Sequence, residues 1–200
     1  MPKKIIALLG SPVRGGNTAY LFNKAVEGAE EAGCEVEKVM VPYLNFQPCM
    51  EILHCMAHED CQMQDDLTPY YRKFREMDGL IIATPIMTMG IPGKLKSFMD
   101  RFQVFYMAKY MRMQPFISKE RRKERKTLFI CISGMNLPDN FDGALQTTRT
   151  FCEIIDCPYW EGVFQKDMDH VRDIRTRPKV VEAAYEKGKE LCRLVGKKDL

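Results

Sequence analysis

The sequence predicts an α/β protein in which a five-stranded parallel sheet carries helices on both faces. Two observations predict it. The runs Lys4 to Gly10 (KIIALLG), Gly79 to Thr84 (GLIIAT) and Thr127 to Ser133 (TLFICIS) are apolar without alternation, the pattern of strands buried on both faces. Between them lie segments of helical period, and a regular alternation of strands and helices calls for crossover connections and hence parallel pairing.

The elements follow in order. The first strand, Lys4 to Gly10, ends at a glycine. Asn17 to Ala32 repeats apolar residues at helical spacing (Leu21, Phe22, Ala25, Val26, Ala29) and is stopped by Gly33. Glu35 to Val41 alternates as a second strand, Leu67 to Met77 reads as a helix, and Gly79 to Thr84 is the third strand. Gly93 to Phe105 is a helix, Thr127 to Ser133 the fourth strand, Phe141 to Ile155 a helix, Tyr159 to Phe164 the fifth strand, and Pro178 to Val195 a closing amphipathic helix. Two stretches interrupt the alternation. Pro42 to Asp66 is long for a connection in such a protein, and long loops are usually functional. Tyr106 to Lys126 joins a Met- and Tyr-rich half to the basic run Lys119-Glu120-Arg121-Arg122-Lys123-Glu124-Arg125-Lys126.

At 200 residues and 23.2 kDa the chain has the length of one domain, read here as 1–200 with a long cysteine-containing loop at about 42–66 and an insertion at about 106–126. A hydrophobic fraction of 46% supports a core without disulfides or metals and excludes a disordered chain. Thirty Lys and Arg against 27 Asp and Glu leave +3, too small a balance to imply nucleic acid as a partner. The run Lys119 to Lys126 reads as a solvated helical face, with phosphate or nucleic acid binding as the other reading. No apolar run reaches membrane-span length and no signal peptide is recognised, so a cytoplasmic protein without membrane contact is expected. In that compartment thiols stay reduced. Cys34, Cys131, Cys152, Cys157 and Cys192 are therefore expected as packed thiols rather than a disulfide framework. Cys49, Cys55 and Cys61 fall at equal spacing in one polar stretch and form a separate group.

Ligands of open α/β sheets bind outside the carboxyl ends of the strands. Three loops lie there. Gly10-Ser11-Pro12-Val13-Arg14-Gly15-Gly16-Asn17-Thr18 offers backbone N–H groups and a helix N-terminus to a phosphate, with Ser11, Asn17 and Thr18 as donors and Arg14 as a charge. It is neither a Walker loop nor a dinucleotide fingerprint, and an ordinary turn into a helix remains the alternative. Thr84 to Gly93 alternates apolar side chains with backbone groups, which suits a flat heteroaromatic ring. Ser133-Gly134-Met135-Asn136 lets a ring approach the backbone. Together the three loops describe a mononucleotide site.

Gly10-Ser11-Pro12, Gly16-Asn17-Thr18, Thr84-Pro85-Ile86 and Gly93-Lys94-Leu95-Lys96-Ser97-Phe98-Met99-Asp100-Arg101 resemble the NADPH-dependent FMN reductase and iron–sulfur flavoprotein family, from the first strand through the fourth. The resemblance implies a flavodoxin-like three-layer sandwich binding FMN noncovalently. Ser11, Gly16, Asn17 and Thr18, with Arg14, would hold the phosphate. Pro85, Ile86, Met87, Thr88, Met89 and Gly90 would line the ribityl chain and ring, and Ser133, Gly134 and Met135 would close over it. Family members commonly carry an aromatic residue where Met87 stands. In the iron–sulfur branch a Cys-x2-Cys-x2-Cys run and a later Cys hold a cluster; here Cys49, Cys55 and Cys61 match the first, third and fourth positions and Ile52 replaces the second. That leaves an incomplete ligand set, open to a three-iron cluster, to a four-iron cluster with a foreign ligand such as His54, His58 or Asp60, to zinc held by three Cys and one His, or to no metal at all. The resemblance further implies NAD(P)H as co-substrate, a small-molecule or protein electron acceptor, no catalytic side chain, and a homodimer or homotetramer, with Phe105 to Phe116 as the candidate subunit boundary. A non-enzymatic flavodoxin-like carrier or redox-sensing FMN-binding protein is the alternative activity. His170 reads as a surface residue.

Overall fold

The computed structural model describes residues 2–196. Five strands, β1 (Lys4–Leu9), β2 (Glu35–Met40), β3 (Gly79–Pro85), β4 (Lys126–Ile132) and β5 (Tyr159–Gln165), form one sheet in the order β2-β1-β3-β4-β5. Every pairing is parallel, from Lys4 opposite Glu35 at one edge to Ile132 opposite Gln165 at the other. This is the doubly wound order expected of a flavodoxin-like sheet. The continuous apolar runs have their predicted cause: β1, β3 and β4 are buried on both faces, whereas the edge strands β2 and β5 are only partly covered.

The helices are α1 (Asn17–Glu31), α2 (Thr68–Glu76), α3 (Gly93–Asp100), α4 (Gln103–Tyr106), α5 (Lys119–Lys123), α6 (Asp142–Ile154), α7 (Met168–Val171) and α8 (Pro178–Leu194). Leu21, Phe22, Ala25, Val26 and Ala29 of α1 and Ala184, Leu191 and Cys192 of α8 pack with Ile5, Ala7, Leu9, Ile81, Leu128 and Ile130 on one face. On the other, Phe74, Phe98, Phe102 and Phe151 cluster over Leu8, Leu80, Ile82 and Phe129. The helix expected over Gly93 to Phe105 breaks at Arg101 and Phe102, resumes as α4 and ends in a π-helical turn, Met107–Met111. No helix among the described residues is long and apolar enough to cross a membrane.

Two sequence expectations need correction. Cys34 and Cys192 are not separate thiols: they form a disulfide with Cα atoms 5.8 Å apart across 158 residues of chain. The close approach of α1 and α8 is the reason. A Cβ added to Gly188 would stand 1.9 Å from the Ala25 carbonyl oxygen, and one added to Gly28 would stand 2.1 Å from that of Tyr185, so only glycines allow this helix pair its spacing. Cys131, Cys152 and Cys157 are free and buried as expected, and burial raises all three thiols, Cys152 to about 12.

The basic run is not a simple solvated face. Arg121 pairs with Asp78 at 2.5 Å and Glu124 at 3.2 Å, and Arg122 with Glu153 at 2.6 Å. Arg125 is fully buried and donates to the carbonyls of Phe74 (2.6 Å), Ile155 (3.1 Å) and Asp156 (3.2 Å). Its charge thus sits at the C-terminal ends of α2 and α6, where helix dipoles favour a cation. These arginines are spent on the amino end of β4, which weighs against a nucleic-acid role for the run.

Reducing the Cys34–Cys192 bond is expected to lower stability by about 2–4 kcal/mol, chiefly by freeing the unfolded chain. Denaturant unfolding with and without reductant reads the difference, and Cys34→Ser should reproduce the reduced value. Arg125→Met leaves three buried carbonyls unpaired and should cost about 3 kcal/mol or more in the same assay.

Candidate functional site

Because the chain runs from β1 outward to β2 and then returns to β3 on the other side, the loops after β1 and β3 part at the carboxyl edge. A crevice opens there, the usual ligand position of such sheets. The loop after β4 lies beside it. The structure therefore brings the three predicted loops to one edge.

The β1 loop is held by its own turn. The Gly16 N–H donates to the Val13 carbonyl (3.2 Å), and the Val13 N–H donates to Ser11 Oγ (3.2 Å). Gly16 precedes α1 in extended conformation, and no side chain caps the helix. The first N–H groups of a 15-residue helix are thus left without a side-chain acceptor beside the buried Ser11 and Thr18. That is the electrostatics of an anion site. The Arg14 guanidinium lies 4.3 Å over the ring of Tyr43, whose hydroxyl donates to the Pro12 carbonyl at 2.6 Å. Tyr43 is half exposed and ties the β2 loop to the β1 loop. Sequence reasoning passed over it; an aromatic residue placed directly after a strand's carboxyl end was the available signal.

The Asn17 side chain is engaged with the segment after β5. Its Nδ2 donates to the Arg172 carbonyl (2.7 Å) and its Oδ1 accepts from the Ile174 N–H (3.1 Å). Both ends of the amide are engaged with the segment after β5, so Asn17 clamps that segment to the start of α1. Nothing in sequence spacing links positions 157 residues apart.

In the β3 loop, Met87 and Gly90 exchange N–H to carbonyl bonds of 2.9 and 3.0 Å, and Thr88 and Met89 have φ of 49° and 60°. Positive φ at both central residues makes a type I′ turn. Sequence reading left these backbone groups free for a ring edge; those of Met87 and Gly90 instead satisfy each other. Thr88 and the Met87 side chain are exposed, while Pro85, Ile86, Met89 and Gly90 are half-buried. In the β4 loop the Ser133 hydroxyl is buried without a hydrogen-bond partner. Backbone N–H groups of Asp167, Met168 and Asp169 donate to the carbonyls of Met135, Ser133 and Gly134. A Cβ at Gly134 would meet Asp169 Oδ1 at 2.4 Å, so glycine is what lets this carboxylate close against the loop. Asn140, fully buried, donates to the Met135 carbonyl at 2.6 Å. His170 is at the surface, and its hydrogen bond to Asp167 (2.6 Å) raises its pKa.

The cysteine loop follows β2. Asn45 and Asp66 pin its two ends, the Asn45 N–H donating to the Asp66 carboxylate at 2.6 Å. Cys49 and Cys55 line a cavity of about 460 Å³ with Asp100, Gln103 and Met107, whereas Cys61 lies against Arg101.

A sequence profile of the NADPH-dependent FMN reductase family matches residues 3–137, which spans β1 through the β4 loop. The chain belongs to that family. Among curated proteins it is 34% identical over 98 residues to an iron–sulfur flavoprotein of Methanosarcina thermophila, covering 49% of this chain and 51% of that one. It is 26% identical over 104 residues to an FMN-dependent NADH:quinone oxidoreductase of Metamycoplasma arthritidis, covering 51% and 53%. The matches thus span about half the length of these relatives. An NAD(P)H:quinone oxidoreductase from Methanothermobacter marburgensis has the same fold, with a TM-score of 0.68 at 17% identity over 96% of each chain.

Asn17→Ala is expected to cost about 1–2 kcal/mol, as for a lost hydrogen-bond pair, and to speed amide exchange at Ile174. Asn17→Asp, which keeps the acceptor, should preserve the Ile174 protection. Unchanged exchange in Asn17→Ala would show that the clamp does not hold the segment.

Proposed function

We propose that this protein is a cytoplasmic FMN-dependent NAD(P)H oxidoreductase that passes electrons from a reduced nicotinamide to a small-molecule or protein acceptor. The observation that supports it most is the uncapped N-terminus of α1, set on the same edge as the loops after β3 and β4. A phosphate needs the first, a flat ring the other two. The unpartnered Ser133 hydroxyl fits a ring with a heteroatom edge beside the β4 loop.

In this reading Ser11, Gly16 and Thr18 hold the phosphate on the α1 dipole, and Arg14, steadied on Tyr43, supplies the charge. Asn17 positions rather than binds: it fixes the segment that carries Asp167 to Asp169 against the β4 loop. Pro85 to Gly90 form a wall whose type I′ turn is rigid because its backbone bonds are internal. Met87 there offers thioether contact where an aromatic residue would stack. Ser133, Gly134 and Met135 close the opposite side. Bound FMN supplies hydride acceptance and electron delivery; the chain sets position, access and surrounding charge. The half-exposed Met87, Met135, Leu137 and Tyr43 leave an apolar rim on which a nicotinamide or an acceptor can lie.

A homodimer or homotetramer completes the reading. Phe105 is core and Phe116 packs against it, which narrows the candidate boundary to the exposed Tyr110, Met111 and Met113. The cysteine loop adds the exposed Met50, Ile52, Leu53 and Met56 beside them, bridged by the hydrogen bond from Arg112 to the Cys55 carbonyl. A continuous apolar patch of this kind marks a protein contact. Sedimentation should give a multiple of the chain mass, and Met111→Lys with Met113→Lys should give the single-chain mass.

FMN titration of the apo-protein, followed by flavin fluorescence, tests the site. Gly134→Ala drives a Cβ into Asp169 and should weaken FMN about tenfold, equivalent to about 1.4 kcal/mol. Adding Asp169→Ala should restore most of the affinity. Wild-type protein that binds no FMN contradicts the reading.

A further inference from the structure

The iron–sulfur relatives raise the question of what the Cys49–Cys61 loop does in this chain. A four-iron cluster is held by four thiolates converging on one volume. Here the second of those positions is Ile52, a half-exposed hydrocarbon with no donor atom. Among the described residues no three His, Cys, Asp or Glu side chains converge in a way that could hold a metal ion. The substitutes that the sequence offers are engaged elsewhere. His54 and His58 stack on each other with centroids 3.9 Å apart, and His54 Nε2 meets Asp60 at 3.3 Å.

What closes the loop instead is arginine. Arg101, at the end of α3, is fully buried. Its Nη1 donates to the Gln47 carbonyl (2.8 Å) and to Asp65 (2.6 Å), and its Nη2 to the Met63 carbonyl (3.2 Å) and Cys61 Sγ (3.6 Å). One guanidinium thus joins both limbs of the loop and holds the Cys61 sulfur. Arg112, following the π-turn, donates to the Cys55 and His58 carbonyls, the latter at 2.8 Å. Arg75 of α2 donates to the Glu59 carbonyl at 2.5 Å and lies 3.5 Å over the Phe116 ring. Three arginines from three elements therefore satisfy the loop's inward carbonyls. In this way the loop between Asn45 and Asp66 is closed by hydrogen bonds from the protein itself.

We propose that the Cys49–Cys61 loop of this chain carries no iron–sulfur cluster, and that Arg101 and Arg112 are the positioning residues that hold it. Neither part rests on the FMN reading above.

The test uses the whole chain, produced in a host that assembles iron–sulfur clusters and purified without oxygen. Iron, acid-labile sulfide and flavin are assayed on one sample, and cysteine alkylation is mapped by mass spectrometry with and without a chelator. The expected result is iron and sulfide below a tenth of an equivalent per chain, and the same alkylation rates with and without chelator. Iron and sulfide near three or four equivalents would overturn the proposal, as would chelator-induced exposure of Cys49, Cys55 and Cys61. A sample without flavin and without iron would remove the FMN reading yet leave the metal-free loop standing. Arg101→Met should speed Cys61 alkylation at least tenfold, and Arg112→Gln, at a half-buried position outside the sheet, should do the same for Cys55. Unchanged rates in Arg112→Gln would show that arginine does not hold the loop.

Discussion

The burial of β1, β3 and β4 on both faces is the constraint from which the rest of the structure follows. Strands that are apolar throughout must have helices above and below, and a parallel sheet can supply both layers only if the chain changes direction between crossovers. The change falls between β2 and β3 on either side of β1. It is therefore packing, well away from any ligand, that parts the β1 and β3 loops and turns the N-terminus of α1 toward the gap. The phosphate end and the ring end of the candidate site are two consequences of one hydrophobic requirement.

Much of this was legible in the sequence because strand burial and helical period are local signals. The five strands lie where apolar runs or alternation placed them, and the loops Gly10 to Thr18, Thr84 to Gly93 and Ser133 to Asn136 fall on one edge because alternation with helices makes every strand parallel. What was not legible depends on partners far along the chain. The contacts of the Asn17 amide with Arg172 and Ile174 are one such case. Cys34 and Cys192 read as packing thiols until Gly28 and Gly188 bring their helices together. The basic run reads as a solvated face until Arg125 is found inside, serving the ends of two helices. Spacing within ten residues carries no trace of these contacts.

Buried guanidinium groups are the recurring device. Arg101 and Arg125 each spend several planar donors on backbone carbonyls that no regular element satisfies, and the fixed geometry of the fork suits that use. Arg101 has an ionic partner in Asp65; burial is the largest influence and lowers its pKa, but the hydrogen bond to that carboxylate and the Coulombic attraction of Tyr71, Cys61 and Asp65 together outweigh it, and the net pKa is raised. Arg125 lacks a direct carboxylate contact among the described residues and burial lowers its pKa, so its compensation is the helix-end carbonyls. Together they fix the cysteine loop and the amino end of β4 as rigid supports, while the carboxyl edge keeps exposed side chains and an uncapped helix.

The most direct measurement of the central claim is a visible absorption spectrum of the FMN-loaded protein, taken without oxygen as NADPH is added stepwise. The account predicts that the flavin band bleaches completely with about one equivalent, as a two-electron transfer requires, and leaves no broad absorbance behind. A band that NADPH does not touch, but that a reduced partner protein bleaches, would contradict it and make the protein a carrier rather than an oxidoreductase.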